Sequence, residues 1–189
     1  MGRIPEYSEA MQLLREYNKE DFHIKHALIV SGVMGYFAQK HDSENIGYWE
    51  LVGLLHDLDF ERYPERHCEK SKEIMENLEY DKAFVEAVVS HGYGLAQNDI
   101  KPEKYMEKVL FAVDELTGLI GAVAIMRPSK SVADLELKSV MKKFKTLSFA
   151  AGVSREVIRQ GAELMGIPLE QLITETIFAM RSLPEDIQK

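Results

Sequence analysis

The stretch VLFAVDELTGLIGAVAIM, residues 109–126, is the most apolar run of the chain, and its reading decides the fold. Its length approaches that of a membrane span, yet Asp114 and Glu115 sit inside it, where charge in a bilayer is expensive. A helix buried in a protein core fits better. On such a helix Leu110, Val113, Asp114 and Thr117 follow the i, i+3, i+4, i+7 spacing of one face. An inward carboxylate there must be paired, hydrogen-bonded or metal-bound, because an isolated buried charge neutralises or destabilises the fold.

Outward from that run, the helical period recurs almost throughout. It predicts helices at about 6–18, 22–41, 47–57, 69–79, 81–91, 103–127, 132–145, 154–166 and 168–183. Pro5, Pro102 and Pro168 fall where a first helical turn tolerates them. Ser131 and Ser154 are expected N-caps, and Gly92 and Gly166 expected residues just past a helix end. No segment alternates around a Gly-bearing hairpin turn, so no strand is expected. The expected fold class is all-α, one helical domain over residues 1–189. Arg127-Pro128-Ser129-Lys130 is the one stretch that could set a C-terminal helical extension, about 128–189, apart from the preceding core.

Composition narrows the function classes. At 46% apolar and 29% charged, the chain can fill a core, which excludes a disordered tail. The single cysteine, Cys68, excludes an intramolecular disulfide framework and suits a reducing compartment. With 23 basic against 31 acidic residues the net charge is −8, which gives little attraction to nucleic acid or an anionic membrane. The first residues show no basic segment leading into an apolar one, so a cytoplasmic location is expected, without a membrane partner.

Several polar residues fall on apolar helix faces. Trp49, Val52, Gly53 and His56 share one face, and Phe84, Ala87, Val88 and His91 repeat the pattern. His26 shares a side with Ile29, Val30 and Val33; His23, one turn earlier, lies on that side too, and periodicity does not choose between them. Asp57 follows His56 about 100° around the same helix, near its end. His41 is in register with Met34, Phe37 and Ala38 but precedes Asp42-Ser43-Glu44-Asn45, so a solvated helix end is expected there. A single inward histidine is ordinarily a satisfied core residue, and Glu115 could simply pair with a Lys or Arg. Four helices each aiming imidazole or carboxylate inward is, by contrast, how bundles build metal sites.

The segment Val52-Gly53-Leu54-Leu55-His56-Asp57 resembles the signature of the HD-domain superfamily of metal-dependent phosphohydrolases. That family's order is a His, a later His-Asp doublet and a distant Asp on a long apolar helix. Here the order is supplied by His26, His56-Asp57 and Asp114, over roughly residues 20–127. Many members add two histidines between the doublet and the last Asp, and His67 and His91 stand in matching places. The whole chain is also similar to a bacterial branch of this superfamily described only as hydrolases. Leu58-Asp59-Phe60-Glu61-Arg62-Tyr63-Pro64 departs from the Gly-Tyr-Pro motif of the cyclic-dinucleotide phosphodiesterases. Asp59 and Glu61 do not reproduce the Glu-Asp pair of the alarmone hydrolases, so neither substrate carries over.

The resemblance implies an HD-like helical bundle and one or two divalent ions per chain. Mixed His/Asp ligation with no thiolate suits Mn, Fe, Co, Ni or Mg better than a structural zinc, and Cys68, beside His67 but without a second cysteine, makes a weak case for zinc. The implied ligands are His26, His56 and Asp114 for one ion, His67 and His91 for a second, and Asp57 as the bridge. Such ions lower the pKa of water and polarise a phosphoryl oxygen. The expected function is a phosphohydrolase acting on a nucleotide or another small phosphorylated metabolite. Asp59 and Glu61 are candidate proton acceptors that could equally be exposed loop acids. Two alternatives use the same residues: a di-iron oxygenase, and a non-catalytic helical binding module stabilised by metal. A homo-oligomer is compatible with the sequence. The basic cluster Arg127, Lys130, Lys138, Lys142, Lys143 and Lys145 is expected to be mostly a solvated face. Arg127 lies thirteen residues past Asp114, roughly 20 Å along a straight helix and out of reach of the same ion.

Overall fold

The computed structural model describes residues 2–94 and 98–188. Among these, nine helices of eight or more residues carry the fold: α1 Tyr7–Tyr17, α2 Asp21–His41, α3 Ile46–Leu55, α4 Glu69–Asn77, α5 Lys82–Val89, α6 Tyr105–Ile125, α7 Leu137–Phe144, α8 Arg155–Met165 and α9 Leu169–Ser182. A last turn, α10, spans Glu185–Gln188. An isolated bridge between Arg3 and Tyr80 is the one β-type pairing among the described residues. The chain is all-α, and no described helix is long and apolar enough to cross a membrane.

Three helices organise the core. Trp49, Leu51, Val52, Gly53, Leu54 and Leu55 of α3 are all buried, and a short helix apolar all round belongs in an interior. It lies along α2, where a Cβ on Gly53 would stand 2.9 Å from Met34 Cγ and 3.0 Å from Ser31 Cα. The missing side chain lets the two backbones cross closely. The 21-residue α6 runs through the middle, packed by α2, α7, α8 and α9. Its interior stripe includes Val109, Leu110, Val113, Leu116, Thr117 and Ile120, so Asp114 stands halfway along a helix walled in by apolar neighbours.

Caps place the helix ends. Ser154 Oγ accepts from Val157 N–H at the start of α8, and Gly166 ends that helix at φ 71°, in the left-handed region glycine tolerates. Asp81 accepts from Ala83 and Phe84 N–H at the start of α5. Two expectations need correction. Ser131 Oγ accepts from Ala133 N–H, a local turn that competes with helix, so α7 begins only at Leu137. Gly92 closes a 3-10 turn, Ser90–Gly92, without a positive φ; its lack of a Cβ instead makes room for Cys68 Sγ.

The stretch 127–130 is a pinned turn. Arg127 donates to both carboxylate oxygens of Asp134, at 3.0 and 2.8 Å, and Ser129 Oγ donates to the same carboxylate at 2.7 Å. Val132 and Leu135 enter the same apolar core as α2 and α6, as do Leu172, Ile173 and Ile177 of α9. Lys130, Lys138, Lys142 and Lys145 are exposed, while Lys143 Nζ stands 4.5 Å from the centroid of the Phe149 ring.

Candidate metal centre

His56 and Asp57 mark the end of α3: the helix stops at Leu55 and the chain turns through Leu58–Arg62. The doublet thereby faces the second turn of α2, where His26 lies, and the middle of α6, where Asp114 lies. His26 Nε2 is 3.2 Å from His56 Nε2 and 3.0 Å from Asp114 Oδ1. His56 Nε2 is 3.3 Å from both Asp114 Oδ1 and Asp57 Oδ2, and Asp57 Oδ2 is 3.6 Å from His26 Nε2. These four residues form one donor group.

A second group meets the other oxygen of the same carboxylate. Asp57 Oδ1 is 3.3 Å from His67 Nε2 and 3.5 Å from His91 Nε2. The two imidazole nitrogens are 3.1 Å apart. All six residues with the implied ligand spacing therefore converge, and Asp57 stands between two clusters with one oxygen toward each.

The imidazoles are oriented from behind. His56 Nδ1 and His91 Nδ1 lie 2.8 Å from the carbonyls of Gly53 and Val88. A carbonyl can only accept, so each Nδ1 carries the hydrogen and each neutral ring presents an Nε2 lone pair to the cluster. His67 Nδ1 is held likewise, 2.7 Å from Asp59 Oδ1. The unprotonated Nε2 atoms of His67 and His91, 3.1 Å apart, repel each other unless a cation or proton sits between them. The donor set therefore fits a metal ion: imidazoles and carboxylates aimed at common points, with acceptors already in place for the other ring nitrogens of His56, His67 and His91.

Titration behaviour follows from the same crowding. Burial disfavours charge on His56, but the Asp57 and Asp114 carboxylates overcome it and raise the imidazole to about 10. For His67, burial is likewise overcome by the Asp59 hydrogen bond, to about 9. His91 is also raised well above its ordinary value, burial again being outweighed, here by Cys68 and Asp57. Burial pushes Asp57 and Asp114 up, but the surrounding imidazoles, His56 foremost, hold both well below the usual carboxylate range. Without metal, protons do what a cation would do.

Asp59 and Glu61 have other tasks. Asp59 is fully buried, and its second oxygen accepts from Ser71 N–H at 2.7 Å, a free amide in the first turn of α4. Its burial corrects the expectation of an exposed loop acid, and both its oxygens are engaged, one of them on His67. Glu61 accepts from the backbone N–H groups of Lys19 and Glu20 at 2.9–3.0 Å and so anchors the start of α2. Among the described residues Glu115 forms an ion pair with no Lys or Arg; its carboxylate accepts from Ser154 N–H at 3.0 Å. His41 is exposed and its ring centroid lies 4.8 Å from that of Tyr105.

Above the donors opens a cavity of about 380 Å³, walled by Phe22, His23, Phe60, Pro64, Glu115 and Val153. No Lys or Arg is among its described lining residues. His23 belongs to this wall, its ring centroid 5.9 Å from that of Phe60, so α2 sends one histidine to each task. Phe22 and Phe60 carry no periodic signal that would have singled them out; their exposure at the cavity mouth is the clue.

The chain is thus an all-helical protein with a His/Asp cluster suited to a metal ion. No family model, curated protein or solved structure matches it.

Proposed function

We propose that this chain is a metal-dependent hydrolase of the HD type, cleaving a phosphoester of a small metabolite or nucleotide. The observation that carries the reading is the placement of Asp57, one carboxylate oxygen toward each of two donor clusters at the floor of an accessible cavity. His26, His56, Asp57 and Asp114 would hold one divalent ion, and His67 and His91 would hold a second across Asp57. Ions bound there supply Lewis acidity, lowering the pKa of water and polarising a phosphoryl oxygen.

The chain's own residues do the rest. Asp59, Gly53 and Val88 fix the tautomers of His67, His56 and His91, so the donors need no rearrangement. Phe22, Phe60, Pro64 and Val153 give the cavity an apolar wall. With no Lys or Arg in the described wall, nothing there offsets a polyphosphate tail. The substrate that fits has one phosphoryl group at the donors and an apolar or aromatic remainder against the phenylalanines. Glu115, whose carboxyl burial raises above its ordinary value, stands in the same wall.

The test is a screen of phosphomonoesters, phosphodiesters and nucleotides with protein stripped by chelator and reconstituted with Mn, Fe or Co. Turnover that disappears in Asp57→Asn is expected. Bound metal with no turnover on any class would leave the binding-module reading, and iron-dependent oxygen uptake without hydrolysis would leave the oxygenase.

A further inference from the structure

Cys68 stands at the second donor cluster, and its sulfur changes the chemistry of that position. Sγ lies 3.8 Å from His91 Nε2, and Cys68, His67 and His91 each offer a donor atom within 4.8 Å of the others. Around the same point, His67 Nε2 and His91 Nε2 are 3.1 Å apart. They lie 3.3 and 3.5 Å from Asp57 Oδ1. A tetrahedral ion with bonds of about 2.0–2.1 Å to nitrogen or oxygen and about 2.3 Å to sulfur sets its donors roughly 3.3–3.6 Å apart. The separations among His67, His91 and Asp57 and the one from Sγ to His91 Nε2 run from 3.1 to 3.8 Å, around those edges, the sulfur one being the longest.

The thiol is also placed for this use. Cys68 is 1% exposed, and as the chain's single cysteine it has no disulfide partner within the molecule. Sγ occupies the space left by the absent Cβ of Gly92, directly after His91. Val88 and Asp59 hold the hydrogens of His91 and His67 on the far ring nitrogens, so both lone pairs face the position Sγ borders.

We infer that Cys68 is a thiolate ligand of the second metal position, completing a set of His67 Nε2, His91 Nε2, Cys68 Sγ and Asp57 Oδ1. This rests on the two-cluster reading above and makes the two positions unequal. The first, with two imidazoles and two carboxylates, accepts Mn, Fe or Mg. The second, with a soft sulfur donor, selects zinc, cobalt or ferrous ion and rejects Mg and Mn. The native pair is then mixed, or filled by one soft metal in both positions.

The test loads chelator-stripped, reduced full-length protein stepwise with Co(II), and separately with zinc for X-ray absorption at the zinc edge. The expected result is two ions per chain and a thiolate-to-cobalt charge-transfer band in the near ultraviolet. The zinc spectrum should contain a sulfur shell at about 2.3 Å. Cys68→Ser should lose the band and keep the first ion. Its affinity for the second should fall by more than the roughly 10–100-fold typical of outer-shell changes. Two bound ions in the wild type with neither band nor sulfur shell would overturn the thiolate assignment and leave the dinuclear reading standing. No bound ion at all would overturn both. Because the sulfur shell is read on the wild type, the inference is decided even if Cys68→Ser does not fold.

Discussion

Asp59→Asn changes one atom at a residue that touches neither proposed ion, and it should still weaken the second position. The Asp59 carboxylate is fully buried, with Oδ1 2.7 Å from His67 Nδ1 and Oδ2 2.7 Å from Ser71 N. An asparagine has one oxygen for two donors. If that oxygen stays on Ser71 N–H, the amide NH₂ faces His67 Nδ1, which must then accept. The His67 proton moves to Nε2, the atom that faces His91 and Asp57, where it competes with a cation. Hydrogen bonds to a charged group are worth about 1.5–3 kcal/mol, which at 1.4 kcal/mol per decade is a loss of roughly 10–150-fold in affinity for the second ion. The first position, built from His26, His56, Asp57 and Asp114, should bind as before. Calorimetric titration of metal into stripped wild-type and variant protein reads both steps. A variant that takes two ions with unchanged affinities, or that weakens both equally, would refute the claim that Asp59 works through His67.

Asp114→Leu should abolish most of the metal-dependent rise in melting temperature. If Asp114 were merely a hydrogen-bonded core carboxylate, its removal would cost on the order of 1–3 kcal/mol with or without chelator, and the rise would survive. In stripped protein, His56 and His67 titrate near 10 and 9, above their ordinary value of 6.5. Their contribution to stability is therefore complete below about pH 6.5 and lost as pH climbs through 9 to 10. Melting temperature without metal should fall over that window, while the stabilisation by added metal grows as protons cease to compete; a stripped protein more stable at pH 9 than at 6.5 would contradict the cluster. Finally, a Cβ on Gly161 of α8 would stand 2.5 Å from Ala112 Cβ and 2.6 Å from its Cα. Gly161→Ala should thus destabilise by about 1–3 kcal/mol despite better helix propensity, and denaturant unfolding showing equal or higher stability would mean that α6 and α8 do not cross that closely.

The HD resemblance implied a set of side chains that the fold gathers: His26, His56, Asp57, His67, His91 and Asp114. It could do so because each of His26, His56, His91 and Asp114 interrupts an apolar stripe, and a polar residue on a buried face needs a partner. The all-α class was equally legible, since 3.6-residue periodicity is a local property of the chain. Capping was legible where it is local, at Ser154 and Gly166, and misleading at Ser131, where a hydroxyl closes a turn on its own backbone instead.

What the sequence by itself determined, then, is the helical class and which residues need polar company inside. Only the tertiary structure decided which of two histidines on one side of α2 joins the donors and which lines the cavity. Only packing showed that Asp59 is buried behind His67 and that Glu61 holds the start of α2. Only packing brought Cys68 against His91, twenty-three residues away. Periodicity fixes which way a side chain points from its own helix axis. What it meets depends on how α3, α4 and α6 cross, and those crossings are set by long-range contacts such as Gly53 on α2 and Gly161 on α6, where the chain is close only because it folds.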